Sequence, residues 1–246
     1  MSQSSENAAP PFTADLSVDE LLLLADAGWE PLQIVCGDCT HKYTDQATSH
    51  KRSKELTWIT EALADGQTKA LERMRDRAAQ AGGHGVVGVR LEALEEEGLR
   101  LSSGQHFSAL GTAVRRPGAR VEEGAQPFTT HLSGQDTWAL LEAGHRPLGV
   151  VFGFSVYHCR TERRGARDFS EMTALTDALY SARELAMSRM QSQAGALRAD
   201  GVVGVSIDMK TTYGPTVIFT GIGTAIARPK KPRAVVRPQM AVGLTG

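Results

Sequence analysis

The chain has no long hydrophobic run, no excess of charge of either sign and few aromatic residues. Its 246 residues carry 27 Lys and Arg against 28 Asp and Glu, so no overall field attracts nucleic acid or an acidic membrane surface. No apolar stretch approaches the roughly 18 residues that a membrane-spanning helix requires. The polar segment 1–14 lacks the basic start and the apolar centre of a signal peptide. We therefore expect a soluble cytoplasmic protein that does not bind nucleic acid.

Cysteine and catalytic motifs are also scarce. The three cysteines, Cys36, Cys39 and Cys159, are an odd number, and in a cytoplasmic chain we expect them to be reduced. The sequence contains no Gly-x-Ser-x-Gly, phosphate loop, dinucleotide fingerprint or His-Glu-x-x-His motif. With no residue on which a reaction could be placed, the sequence predicts a protein that is not an enzyme.

The chain does contain an internal repeat. Gly-Val-Val-Gly-Val at 85–89 recurs at 201–205, and the offset of 116 residues holds back to Gly28 and Gly144 without a gap. Further on, Gly-Thr-Ala-Val at 111–114 matches Gly-Thr-Ala-Ile at 223–226, so a short deletion separates the two copies there. Such a repeat predicts one supersecondary unit written twice.

The repeat predicts two domains of about 100 residues each. The segment between them is rich in Pro, Gly and charge, which is typical of a linker. The C-terminal end is basic and broken by proline; we interpret it as a solvated tail, against the alternative of a weak contact with nucleic acid or an acidic partner. The predicted boundaries are a tail at 1–14, repeat 1 at 15–117, a linker at 118–130, repeat 2 at 131–228 and a flexible tail at 229–246.

Each repeat opens with a short predicted helix. Ser17-x-x-Glu20 before a run of leucines is a capping-box pattern, and Gly28 ends the helix. Ser133 and Gly144 occupy the same places in the second repeat.

A buried strand, a long helix and a two-stranded hairpin are predicted after each short helix. The strand is β-branched and apolar, and the helix carries an apolar stripe that must cover a sheet. The sequence therefore predicts an α+β fold in which a β-α-β-β unit occurs twice. The predicted hairpins join 86–91 to 107–114 and 202–209 to 217–226.

Glycines inside these strands have two explanations. A glycine weakens a strand unless a bulge or a close approach of another backbone requires it. Gly85, Gly88 and Gly111 therefore mark either tight internal packing with a bulge or a surface that a neighbouring subunit or a ligand approaches. The sequence leaves both open.

The cluster Cys36-x-x-Cys39-x-His41 is the one group with metal-ligand chemistry. Thiolates and imidazole suit a soft or borderline heavy-metal ion such as zinc, and Asp38, His50 or a donor from another subunit could complete a tetrahedral site. Alternate residues of a strand point to opposite faces, so Cys36 and Cys39 need not converge. The second repeat has Phe152, Ser155 and Tyr157 at the corresponding positions.

The order of strand, long alanine-containing helix, Gly-Val-Val-Gly-Val, loop and Gly-Thr-Ala-Val resembles the YbjQ-like heavy-metal-binding domain family. The resemblance covers 30–116 and 146–228. It implies a β-α-β-β subunit with a small antiparallel sheet, similar to a dodecin subunit, that assembles into pentameric rings. The family name implies that a metal is bound, but the resemblance does not identify which residues of this chain would be its ligands. The Gly-Gly-Arg segment often found before the long helix of the family is absent here.

Three hypotheses follow. The first is a non-enzymatic homo-oligomeric ring, since small sheets leave edges that copies can cover, with a metal bound through Cys36, Cys39 and His41. The second is a scaffold that presents the linker and the basic tail to a partner. The third is a small-molecule binder that uses the backbone around Gly88 and Gly204, by analogy of fold.

Overall fold

The structure is a computed structural model that describes residues 12–41, 53–94, 105–119, 125–159, 173–211 and 216–229. Most of the two predicted tails, and His50, lie outside the described residues. In chain order the elements are α1 Val18–Asp26, β1 Glu30–His41, β2 Lys54–Glu55, α2 Thr57–Gln80, β3 Gly85–Leu94, β4 Gln105–Arg115, β5 Phe128–Thr129, α3 Gly134–Glu142, β6 Arg146–His158, α4 Thr173–Ala196, β7 Gly201–Thr211 and β8 Thr216–Ala227. The predicted α+β fold with a doubled β-α-β-β unit is confirmed.

Both short helices begin at the predicted caps. The Oγ of Ser17 accepts a hydrogen bond from the backbone N–H of Glu20 at 3.3 Å, and the Glu20 carboxylate accepts one from the Ser17 N–H at 2.8 Å. In α3 the Oγ of Ser133 accepts from the N–H of Asp136 at 3.0 Å. These bonds satisfy amides that a helix's first turn leaves without a partner.

Each repeat forms an antiparallel three-stranded sheet with a long helix on one face. In repeat 1 the order is β1-β4-β3 with α2 packed mainly on β1, and in repeat 2 it is β6-β8-β7 with α4 packed mainly on β6. A Cβ atom added to Gly37 would lie 2.1 Å from the carbonyl oxygen of Ala70, and one added to Gly153 would lie 1.9 Å from that of Ala186. Only glycine lets the helix approach its strand this closely.

The two explanations for the strand glycines hold at different positions. The registers of β3 with β4 and of β7 with β8 shift around Gly88 and Gly204, whose φ angles are +67° and +63°, so these two glycines form bulges. Gly85 instead meets the other repeat, because a Cβ atom there would lie 2.2 Å from the ring of Phe128.

The two repeats exchange short strands. β5 lies in the segment that the sequence predicted as the linker; because it directly precedes repeat 2 and is held to β6 of that repeat, we count it with repeat 2. It pairs in parallel with β3 and extends the sheet of repeat 1. β2, from repeat 1, pairs antiparallel with β6 and extends the sheet of repeat 2. Each sheet therefore has four strands, one of which comes from the other repeat.

Candidate functional site

Cys36 and Cys39, two of the predicted metal ligands, leave β1 on different faces. Cys39 is 6% exposed and packs in the core under α2. Cys36 is half-buried, and Nη1 of Arg77 donates a hydrogen bond to its Sγ at 3.1 Å. Side chains along a strand point alternately to its two faces, so residues that are three positions apart lie on opposite faces. The two sulfurs therefore do not converge on one ion.

His41, the third predicted ligand, ends β1, where it pairs with Gln105; its side chain lies outside the described residues. Among the side chains that are described, no group of three Cys, His, Asp or Glu could hold a metal ion. The site formed by Cys36, Cys39 and His41 therefore stays a prediction.

A polar patch lies beside Cys36 on the outer face of β1. His106, on β4, has its Nε2 3.5 Å from Oδ1 of Asp38 and its Nδ1 3.1 Å from Oγ1 of Thr40. All four side chains are at least partly exposed. This patch places a thiol, a carboxylate and an imidazole at the surface, where a charged partner could contact them.

The backbone around Gly88 and Gly204, suggested above as a ligand surface, is covered by leucine side chains. Leu16 lies 3.7 Å from a Cβ atom built on Gly88, and Leu132 lies 2.4 Å from one built on Gly204. Each leucine belongs to the same repeat as its glycine, so these bulges are used in internal packing.

Cys159 is buried and His131 is half-buried, and both serve packing or internal hydrogen bonds. Burial raises the pKa of the Cys159 thiol, which lies in a core cluster of repeat 2. Burial lowers the pKa of His131, against the opposing effect of the Gly204 carbonyl, which lies 2.6 Å from Nε2. Its Nδ1 lies 2.8 Å from Oγ1 of Thr224. In a neutral ring with its proton on Nε2, Nε2 donates to the Gly204 carbonyl and Nδ1 accepts from the Thr224 hydroxyl. These two hydrogen bonds stabilise the β7 bulge.

The described residues also form a contact between the two repeats, which has four parts. At its first part, the strand segment around β5 binds the edge of β3. The Phe128 N–H donates to the His84 carbonyl at 3.1 Å, the Thr130 N–H donates to the Val86 carbonyl at 2.9 Å, and the Val89 N–H donates to the Thr130 carbonyl at 2.9 Å. Repeat 2 thus satisfies backbone groups that an edge strand would otherwise expose.

An aromatic side chain anchors this edge. The ring of Phe128 lies on Gly85, and it packs edge to face with Trp29 at a centroid distance of 5.3 Å. Phe128 comes from repeat 2, whereas Gly85 and Trp29 belong to repeat 1. The space left by the absent side chain of Gly85 therefore forms a pocket for a phenylalanine of the next repeat.

A charged pair holds the second part of the contact. Glu55 of β2 and Arg189 of α4 form a two-fold ion pair with distances of 2.5 Å and 3.0 Å, and Nη1 of Arg189 also donates to the Phe154 carbonyl at 2.9 Å. Glu55 also accepts a hydrogen bond from the hydroxyl of Thr60, whose Oγ1 in turn accepts one from the N–H of Val156. The pair is thus built into a network that crosses between the repeats.

The third part is apolar. The outer face of β6 packs on the outer side of α2 and on the row of β3 side chains beside it, in one continuous core cluster. The cluster contains Ile59, Leu63, Leu71, Val89, Leu91, Ala93, Val150, Phe152, Phe154 and Val156. Burial of such side chains contributes about 1.5–3 kcal/mol each, so this face dominates the contact.

The short helices add a fourth part. Oε1 of Glu20 accepts a hydrogen bond from the Gly134 N–H at 2.8 Å, and Nε1 of Trp138 donates to Asp26 at 3.2 Å. Burial alone would raise the pKa of Glu20, but hydrogen bonds from the backbone of Ser17 and Gly134 outweigh it and hold the pKa below its usual value. Glu20 therefore caps its own helix and the first turn of the other repeat's helix.

Sequence reasoning missed β5, Glu55 and Arg189. A signal for two of them was present: Phe12-Thr13 matches Phe128-Thr129 at the offset of 116, and Arg73 matches Arg189. Arg73 donates to the Asp38 carbonyl, as Arg189 does to that of Phe154 at the equivalent position.

No helix within the described ranges is long and apolar enough to cross a membrane.

Comparison with known proteins agrees with the doubled fold. A family model described as "putative heavy-metal-binding" matches residues 34–116 and 145–228, once in each repeat. The chain is also 39% identical over 240 residues to the encapsulin nanocompartment protein Rv1762c of Mycobacterium tuberculosis (strain ATCC 25618 / H37Rv), across 92% of this chain and 90% of that protein. The chain therefore belongs to this YbjQ-like family, of which it contains two tandem copies.

Proposed function

We propose that this protein is a non-enzymatic building block that assembles with copies of itself into a ring, and that its role is structural, as a component of a protein compartment. The observation that carries the proposal is the contact between the repeats: each repeat is shaped to bind another repeat through exchanged strands, an anchoring aromatic ring and an apolar face. A unit that binds its own kind through two different surfaces forms closed rings when the rotation allows it.

The relative supports a structural role. Its name places that protein in an encapsulin nanocompartment, and the alignment covers nearly all of both chains. The described groups with shifted pKa values are Glu20, Lys69, His131 and Cys159. Glu20 caps two helices, Lys69 forms an exposed ion pair with Asp65 along α2, His131 holds the β7 bulge and Cys159 packs in a core. Catalytic groups with shifted pKa values would be expected in a cleft beside a charge partner. We also propose a cytoplasmic location, which cell fractionation tests.

The mass of the purified protein in solution tests assembly. Light scattering coupled to size exclusion, at micromolar concentration, should give a discrete multiple of the 26.4 kDa chain. The family resemblance leads us to expect five chains or ten. A mass equal to one chain across this range would overturn the proposal.

Metal binding is a secondary proposal, supported by the family description and by the polar patch around Cys36. Because Cys36 and Cys39 face apart, an ion bound at Cys36 would need donors such as Asp38, His106 or groups from a second copy.

Elemental analysis of protein purified without chelator tests this proposal. Stoichiometric zinc, copper or nickel that disappears in Cys36→Ser and persists in Cys159→Ser would support an ion at Cys36. Loss of the metal in Cys39→Ser as well would support the ligand set predicted from sequence. Absence of stoichiometric metal in the parent would refute both.

A further inference from the structure

The contact between the repeats is made once in the chain, although the repeat supplies both of its surfaces twice. We call the edge of β3 with Gly85, the row Val89, Leu91 and Ala93, and the outer side of α2 the acceptor surface of repeat 1. We call β5 and the outer face of β6 the donor surface of repeat 2. Repeat 2 has an acceptor surface of its own, and repeat 1 has a donor surface of its own; within the described ranges neither is covered.

The β7 side chains of the second acceptor surface are exposed. Val89 of the first surface is 2% exposed under repeat 2, whereas its counterpart Val205 is 41% exposed. Ile207 and Met209, the counterparts of Leu91 and Ala93, are about half exposed. Three large apolar residues in a row on a sheet face indicate a surface that is covered by a partner.

The glycine pocket is also empty in repeat 2. Gly201 corresponds to Gly85, but a Cβ atom added to Gly201 would meet nothing within 4 Å in the described chain. Phe12 corresponds to Phe128, the ring that fills the pocket of Gly85, and Phe12 is 56% exposed. Among the residues that the structure describes, the pocket at Gly201 is therefore unfilled and the ring of Phe12 has no pocket.

The segment that carries Phe12 is already held in the geometry of β5. Oγ1 of Thr13 accepts from the Ile34 N–H at 3.3 Å, and Oγ1 of Thr129, at the matching position, accepts from the Val150 N–H at 2.8 Å. Both segments are therefore fixed to their own repeats by the same hydrogen bond. Phe12 is presented to a neighbour as Phe128 is presented to repeat 1.

The helix of the second acceptor surface shows the same contrast. Leu63 and Leu71 of α2 are 4% and 7% exposed beneath repeat 2, whereas their counterparts on α4, Leu179 and Met187, are only half-buried. The outer face of β1, which would cover α4, is itself uncovered, with Ile34 39% exposed where its counterpart Val150 is 5% exposed.

Charge complementarity favours the same pairing. In the contact within the chain, Gln67 of α2 lines a cavity together with Phe152 and Phe154 of β6. The residues at the matching positions are Arg183 on α4, which is exposed, and Cys36 and Asp38 on β1. Applied to two copies, the same contact would bring Arg183 of one copy towards Asp38 of the next.

We infer, on the basis of the self-assembly proposed above, that copies of this chain join head to tail: residues Phe12 and Thr13 of one copy add as a parallel strand to the edge of β7 of the next. The ring of Phe12 fills the pocket at Gly201, and the outer face of β1 covers α4 and the row Val205, Ile207 and Met209. Every repeat in the assembly then makes the same contact with the next. The contact is heterologous, and it closes into a ring with an even number of repeats.

A substitution at Gly201 tests assembly without disturbing the fold of the chain. Gly201→Val places a side chain where the structure has open space, so the chain should fold normally, but the pocket for Phe12 is closed. We expect the concentration for half-assembly to rise by at least about tenfold, which is the loss of one well-packed anchor. Phe12→Ala should act in the same direction. Gly195→Ala is the matched control and should assemble like the parent, because Gly195 is an open helical glycine whose counterpart Ala79 stays exposed in the contact within the chain.

Cross-linking locates the contact directly. In a Cys36→Ser background, oxidation of Phe12→Cys combined with Gly201→Cys should give covalent dimers and higher species, because the matching residues in the chain, Gly85 and Phe128, are direct partners in the ladder. Phe12→Cys with Gly195→Cys should remain a single chain. An assembled parent with unchanged mass in both Gly201→Val and Phe12→Ala, and no cross-link, would overturn this interface while leaving self-assembly in place. A parent that is a single chain would overturn self-assembly itself.

Discussion

Removing Arg189 from its ion pair with Glu55 should weaken the contact between the two repeats and so lower the free energy of unfolding. The Glu55 side chain is 14% exposed and that of Arg189 is 34% exposed, so the pair is neither fully buried nor at the surface. Breaking a buried pair costs about 3–5 kcal/mol and an exposed one about 0–1 kcal/mol. We therefore expect Arg189→Met to lower the free energy of unfolding by about 2–3 kcal/mol.

Urea unfolding at one fixed protein concentration measures this cost, since assembly shifts apparent stability. A double-mutant cycle with Glu55→Gln isolates the pair, and we expect a coupling energy of about 1–2 kcal/mol. Arg73→Met, compared at a protein concentration below that of assembly, is the matched control: within one chain Arg73 makes the equivalent bond to a strand carbonyl but is exposed, so its loss should cost about 0.5 kcal/mol. Equal costs for both variants, or a coupling energy near zero, would refute the reasoning.

Three further predictions concern packing and protonation. Phe128→Ala should cost about 2–3 kcal/mol in urea unfolding, because the half-buried ring packs between Gly85 and Trp29; a cost near zero would contradict this. Gly153→Ala should cost about 3 kcal/mol or prevent folding, since its Cβ would lie 1.9 Å from a helix carbonyl, and normal yield and melting would disagree. His131 has its pKa below 6.5, so its contribution is present above pH 6.5 and lost as the pH falls through the folded pKa; His131→Asn should flatten stability below pH 6.5, and an unchanged pH profile would count against it.

The sequence was sufficient for the fold because each element carries a local signal. The capping box at Ser17, the apolar stripe of the long helix and the glycine bulges depend on residues close together in the chain. The doubled sequence confirmed each signal a second time, so errors in one copy could be checked against the other.

The contact between the repeats could not be derived in the same way. β5 consists of two residues, and its strand partner Gly85 is far away in the chain, so neither composition nor periodicity marks it. The pair between Glu55 and Arg189 depends on the relative placement of two domains. The face of the sheet on which a strand side chain lies was equally difficult to derive from the sequence. The spacing of Cys36 and Cys39 suggested one site, whereas their burial places them on opposite faces of β1.

The two copies differ in the chemistry of their donor surfaces. The donor surface of repeat 2 presents Phe152, Phe154 and other apolar residues and is buried within the chain. The matching positions of repeat 1 are Cys36 and Asp38, with His106 beside them.

An apolar contact between fused domains is permanent, because fusion also raises their effective concentration. The contact proposed between separate chains combines the Phe12 anchor and the row Val205, Ile207 and Met209 with the polar positions Cys36 and Asp38. Its polar part makes it weaker and more dependent on salt than the contact within the chain. Duplication would therefore give this protein two kinds of junction from one fold: a fixed junction inside each chain and an adjustable one between chains. Raising the salt concentration should release whole chains from the assembly while leaving the paired repeats of each chain intact.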